Sequence, residues 1–406
     1  MAKTRPRQSS SSKKKKTSVL NSAGSQLSTN PLASPSSIPP LSDLLTAAQS
    51  HLDSASPNDA LPLVQAAITA YPSSSAAHAL FATTLLDLTP PNPELAFQHY
   101  TQASTLSPRN PQYLLWAAQL HPDGGEGAVP VIETAMTLLR ETISGGQNTA
   151  TCATPVGGED AMSADEARAL LTSALCSCAE IYMSDLCMSP DAEQRCERYV
   201  GEAVLVSPES CEALQTLASV RISQERMEEA TAALRRAREV VGREIAAVEA
   251  AEEAEESGVA MTGGTPTLTP FPIRVGLARL LVEVGVLDDA LETLEELLGE
   301  NDALVDLWYL GGWTWYLMGE KILAQDGAPQ NEREEGRKDA WKEAAKWLTA
   351  CLKLYETLEW EDEGIRDHAV EVLSKVKEVV GEIKDDDEEG DGEEGWESED
   401  EDEEMT

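Results

Sequence analysis

One spacing returns along this chain and constrains it more than any other feature. In "PNDALPLVQAAITAYP", Ala60, Val64, Ala67 and Pro72 stand four, three and five residues apart. The spacing returns as Ala96, Tyr100, Ala103, Pro108 and again as Cys196, Val200, Ala203, Pro208. Without the proline it recurs at Ala230, Leu234, Ala237, at Ala290, Leu294, Leu297 and at Ala344, Leu348, Cys351. Steps of four and three align residues on one helix face, whereas a strand needs alternation. Ala48, Ala218 and Ala278 lie twelve residues before Ala60, Ala230 and Ala290. Small residues at both places let two helices approach closely, and the proline stops the second helix. With only three phenylalanines in 406 residues, the core must be built from small side chains in close contact.

The pattern resembles the tetratricopeptide repeat (TPR), a helix–turn–helix unit of about 34 residues. "LWYLGGWTWY" at 307–316 is similar to the first-helix motif of that repeat, with Trp308, Gly312 and Trp315 near its aromatic, small and aromatic places. The resemblance runs from about residue 41 to 356 and implies an all-α, TPR-type α-solenoid, a superhelix of antiparallel helix pairs. The first two repeats are 41–74 and about 75–108. The third, about 109–143, has a weak second helix with Pro130 inside its start. Loops are expected near 144–163 and 257–270, on either side of the fourth and fifth repeats. The fifth, 209–242, has a second helix that continues through "EIAAVEAAEEAEE", and the sixth is about 271–302. The seventh carries roughly 20 inserted residues, about 318–337, between its helices. A helix from about Glu359 to Lys384 should cap the array with Val370, Leu373, Val376, Val380 and Ile383.

Three segments follow. Residues 1–40 form a Ser/Lys/Pro-rich arm, expected to be disordered. Residues 41–384 hold the solenoid of about seven irregular repeats and its cap, and 385–406 form an acidic tail, also expected to be disordered. The net charge is −40, and its distribution matters more than its size. The first 42 residues carry seven basic and no acidic residues, while the tail has 15 acidic and no basic ones. The middle keeps 24 basic and 56 acidic residues, a net −32, so the body itself is acidic. Such a field repels phosphate backbones and draws cationic partners, so direct nucleic-acid binding is not expected. "KKKK" at Lys13, Lys14, Lys15 and Lys16 is a nuclear-import candidate, which would engage an importin. No apolar run approaches the roughly 18 residues of a membrane span, so no membrane partner is expected.

Catalytic signatures are missing. The sequence has no GxxxxGK[ST], GxSxG or HExxH, and its five histidines are scattered. The seven cysteines match no zinc spacing and read as reduced, mostly buried thiols of an intracellular protein. No enzymatic activity, cofactor or metal is expected.

A partner would lie along the concave face, which the first helices line. The helical stride places Glu180 and Met183 there in the fourth repeat, and Glu212, Gln215 and Ser219 in the fifth. It adds Arg279, Val282 and Glu283 in the sixth, and Asp306, Tyr309, Trp313 and Tyr316 in the seventh. Glu363 and Asp367 follow on the capping helix. Trp308 and Trp315 read as core, and Trp313 as either core or groove. Carboxylates beside aromatic faces suit Lys and Arg side chains.

The basic arm, irregular TPRs, acidic body and Glu/Asp tail with Trp396 together resemble one fungal family. Its members are dedicated assembly chaperones of the fourth large-subunit ribosomal protein. The resemblance implies capture of that basic protein through an extended loop segment, transit between cytoplasm and nucleus, and hand-over to the large-subunit precursor. The tail would then stand in for ribosomal RNA phosphate. An acidic TPR histone chaperone would use the same electrostatics on another client. A TPR scaffold subunit of a large complex would need none of them.

Overall fold

The computed structural model describes residues 39–145, 162–257, 267–325, 327 and 329–381. The described residues form fifteen α-helices and no strand. In chain order these are α1 (Leu41–Asp53), α2 (Pro57–Ala70), α3 (Ser75–Asp87), α4 (Pro93–Leu106), α5 (Pro111–Gln119), α6 (Gly124–Gly145), α7 (Ala164–Met183) and α8 (Ala192–Val206). There follow α9 (Cys211–Ser223), α10 (Met227–Glu256), α11 (Phe271–Glu283), α12 (Leu287–Glu300), α13 (Val305–Ala324), α14 (Gln330–Thr357) and α15 (Glu363–Val380). Helices pair consecutively, α1 with α2 through α13 with α14, and each pair packs on the next. The fold is a TPR-type solenoid.

The recurring spacing is the core. All eighteen anchor residues from Ala60 to Cys351 are buried, and so are Ala48, Ala218 and Ala278. A seventh set, Ala128, Ile132 and Ala135, is buried on α6 with the same four and three steps. Sequence reading passed over it because Pro130 stands between its first two members. That proline is the seventh residue of α6, so the helix continues through it at the cost of the hydrogen bond its N–H would otherwise make to Glu126 O.

Local chemistry sets the register. The prolines that end α2, α4 and α8 stand two residues before Ser74, Asn110 and Ser210, whose side chains accept from the first free N–H groups of α3, α5 and α9. One dipeptide frame thus stops one repeat and starts the next. Inside repeats one, five and six, the residue five places before the second-helix anchor takes a left-handed conformation: Ala55 (φ 53°), Glu225 (φ 61°) and Gly285 (φ 76°). It ends the first helix and reverses the chain.

Two expectations change. The insertion at about 318–337 makes no separate loop; α13 and α14 extend toward each other and leave only 325–329 between them. Arg333 binds the carbonyls of Leu323 and Gln325, closing the end of α13, while Arg337 lies over the Trp341 ring. The cap is shorter than expected, Glu363–Val380, and rotated: Ala369, Val372, Leu373 and Val376 are buried, whereas Val370 is 51% exposed. Ala369 takes the close crossing, as alanines do elsewhere in the array. Ile383, the Lys13–Lys16 run and the acidic tail lie outside the described residues.

Candidate functional site

The first helices α7, α9, α11, α13 and α15 touch in succession and form a continuous inner row. Three depressions mark this row. A cleft of about 420 Å³ lies between α5, α6 and α7, walled by Leu115, Trp116, Leu170 and Ile181 and reaching Glu180. A notch of about 270 Å³ between α7, α9 and α11 is lined by Glu180, Glu212, Gln215, Ser219 and Gly276. A third, about 390 Å³, lies between α11, α13 and α15, with Arg279, Glu283, Asp306, Tyr309, Trp313 and Ile365.

Glu180 and Glu212 come together in the notch, one from the last turn of α7 and one from the first turn of α9. Glu212 accepts from Ser173 Oγ at 2.9 Å, and neither carboxylate has an ion-pair partner among the described residues. Loss of hydration raises the pKa of each carboxyl above its ordinary value, and for Glu180 repulsion from Glu212 adds to it. Glu180 keeps an exposed edge, yet protein on both sides of the notch displaces much of its water. Gln215, only 8% exposed, gives its Nε2 hydrogens to Ile273 O at 3.0 Å and Cys211 Sγ at 3.1 Å.

At the third depression the charges are partly spent. Asp306 is held by Arg279 at 2.8 Å, whereas Glu283 is exposed without an ion-pair partner among the described residues. Tyr309 hydrogen-bonds His368 Nδ1 at 2.8 Å. Trp313 lines the depression on one side, packs into the core on the other and stacks on Tyr316 at 5.3 Å. Its place as groove or core thus resolves as both. Tyr316 is sandwiched between Trp313 and Trp341, so it supports the wall from behind. From α15 it is Ile365 that enters this depression, while Glu363 and Asp367 flank Arg366 on the exposed side, at 3.9 and 2.9 Å. Trp308 and Trp315 are half-buried against neighbouring aromatic and apolar side chains.

The cleft at α5–α7 was not foreseen. Its walls come from three helices of two repeats, and α5 is short, so no single stride points to it. Arg279 and Asp306 were both placed on this face, but their pairing was not foreseen, because they lie 27 residues apart on successive first helices. Among the described residues no group of His, Cys, Asp and Glu side chains could hold a metal ion. Five of the six described cysteines are buried, and burial pushes the thiols of Cys176, Cys178 and Cys351 up to about 12. No helix among the described residues is long and apolar enough to cross a membrane.

No protein-family model matches the chain. It is 32% identical over 416 aligned residues to a probable assembly chaperone of rpl4 from Emericella nidulans, covering 98% of this chain and 97% of that one. A protein of the same description from Schizosaccharomyces pombe is 33% identical over 291 residues, covering 72% and 75%. The solved structure of the assembly chaperone of RpL4 (Acl4), residues 1–338, superposes with a TM-score of 0.54 at 31% identity, covering 71% of this chain and all of that one. With identity above 30% along nearly its whole length, and with the repeat architecture in common, this chain belongs to the family of the assembly chaperones of rpl4.

Proposed function

We propose that the chain is a dedicated chaperone that holds a newly made basic protein of the large ribosomal subunit, the counterpart of rpl4, along its inner face. The observation that carries this is the kinship with probable assembly chaperones of rpl4 over 98% of the chain. The inner face supplies a mechanism. Unpaired carboxylates at Glu180, Glu212 and Glu283, set beside Tyr309 and Trp313, offer charge and aromatic faces to Lys and Arg side chains of an extended segment. A free ribosomal protein is a polycation without its RNA, prone to bind the wrong polyanion, and an acidic solenoid competes for that charge. On this reading the tail screens the remainder of the client, the Lys13–Lys16 run recruits an importin, and the complex travels from cytoplasm to nucleus. The body's charge argues against direct nucleic-acid binding, and the role is one of binding, not catalysis.

The test is capture of purified rpl4 by the full chain and by a Glu212→Lys/Glu283→Lys variant. The reversal is expected to cost about 2–5 kcal/mol of binding, as for desolvated charge pairs, with the circular dichroism unchanged. Unaltered affinity would place the client elsewhere.

A further inference from the structure

The notch and the α5–α7 cleft adjoin each other, and Glu180 lines both. They differ in chemistry. The cleft has an apolar wall of Leu115, Trp116, Leu170 and Ile181 beside polar lining groups such as Gln119, Ser177 and Asp185. The notch gathers acceptors. Two carboxylates face it without a basic partner among the described residues, and a third acceptor joins them from Gln215.

Gln215 is the telling residue. Its side chain is more than nine-tenths buried, so its amide is aimed and not free to wander. Nε2 must face Ile273 O, because the opposite orientation would set two acceptors against each other at 3.0 Å. That leaves Oε1 beside Gly276 on the notch wall, where a Cβ at position 276 would stand only 2.9 Å from it. Oε1 takes no hydrogen bond from any described residue. A glycine thus makes room on the notch wall for an acceptor that has no donor among the described residues. A metal ion is a poor match, since the described residues hold no metal-binding group of three. A side-chain cation supplies what the three acceptors lack: an ammonium brings three donors and a guanidinium five.

We propose that these two depressions together read one element of the client: a Lys or Arg whose head sits among Glu180, Glu212 and Gln215, flanked in sequence by an apolar side chain that fills the α5–α7 cleft. This rests on the inner face being the client surface, and it deepens that reading from general charge attraction to a local sequence preference. The occupant's charge offsets the repulsion between the two carboxylates, and its hydrogen bonds satisfy Gln215. The apolar neighbour gains from the cleft what a purely cationic segment could not. A polycation lacking that neighbour would be held only by screened, long-range attraction.

The probe is an array of immobilised peptides, each a Gly/Ser frame carrying one Leu and one Lys at varied separation, with matched peptides bearing Leu→Ser or Lys→Gln. It is read with the labelled full chain. Either replacement is expected to weaken binding roughly tenfold to a hundredfold at one preferred separation, as for losing hydrogen bonds to a charged group in Lys→Gln and the burial of an apolar side chain in Leu→Ser. The Glu180→Gln/Glu212→Gln variant should lose the response to Lys and keep the response to Leu. Leu170→Gln should do the reverse. Melting curves confirm that both variants fold. Binding that ignores the Leu, shows no preferred separation or is undetectable for every peptide would overturn the proposal. Capture of whole rpl4 is measured alongside. If rpl4 is captured while the array shows no such preference, only this subsite falls; if rpl4 is not captured at all, the chaperone reading falls with it.

Discussion

Glu212 sits where its charge is disfavoured. Its carboxyl has a raised pKa because burial strips its water, so its charged form costs the folded chain stability, a cost that a bound cation would relieve on the proposed function. A raised carboxyl contributes stability below its unfolded value near 4.5, and that contribution is lost as pH rises through the folded value. Glu212→Gln is therefore expected to raise the melting temperature at pH 7 while weakening capture of a cationic client; differential scanning fluorimetry beside a binding assay checks both halves. The opposite sign holds at His99. Its Nδ1 meets His78 Nδ1 at 2.9 Å, while His78 Nε2 lies 3.1 Å from Pro72 O. Burial first, and His78 second, lower the pKa of His99. The stability that His99 contributes is complete above its unfolded value of about 6.5 and is lost as pH falls toward the lowered one. His99→Gln should flatten the fall in melting temperature between about pH 7 and pH 5. A slope identical to that of the native chain would count against the pair.

The helices repeat a common solution with local adjustments. In α13, glycine replaces the usual small residue at three crossings with α14. A Cβ at Gly312 would lie 2.6 Å from Leu348 Cγ, and those at Gly311 and Gly319 would enter the Trp347 and Trp341 rings. Gly312→Val is expected to cost about 1–3 kcal/mol by overpacking, seen as a lower urea midpoint. Conversely, Glu225→Gly should be neutral to stabilising by up to about 1 kcal/mol, because Glu225 holds φ 61° at the turn before α10, where Gly285 does the same task before α12. Elements of this kind were legible in the sequence because their signal is local. The Ala/Leu anchors, the proline stops and the continuation of α10 all follow from spacing within one helix. The site was legible in part. Strides along single helices gave Glu180, Glu212, Gln215, Glu283 and Trp313, and these do line the inner face. What failed depended on two elements meeting: the rotation of α15, the Arg279–Asp306 pair and the α5–α7 cleft. A stride says which way a side chain leaves its own helix, and nothing of what stands opposite.

Across the whole molecule, short-range and long-range electrostatics separate by salt. On the proposed function, groove contacts would be close and partly dry, whereas attraction by the body and tail would fade as the Debye length falls from about 10 Å at 0.1 M to about 3 Å at 1 M. Deletion after Lys384 leaves the buried face of α15 intact, so the melting temperature should not drop. The truncated chain should still bind the client segment, yet protect whole client from precipitating with RNA less well at low salt. Light scattering of the ternary mixture decides it, and equal turbidity with and without the tail would reduce the tail to a solubiliser. Every substantial contact between helices joins neighbours one or two places apart in the chain. Among the described residues no substantial helix contact ties the first repeat to the last. Such an object has the mechanics of a coil spring: a small change of pitch is shared among many junctions, each moving little. Such a groove can lengthen or shorten without any repeat unfolding. If the groove holds a client as proposed, force applied to the two ends of the array would loosen that grip along many junctions at once.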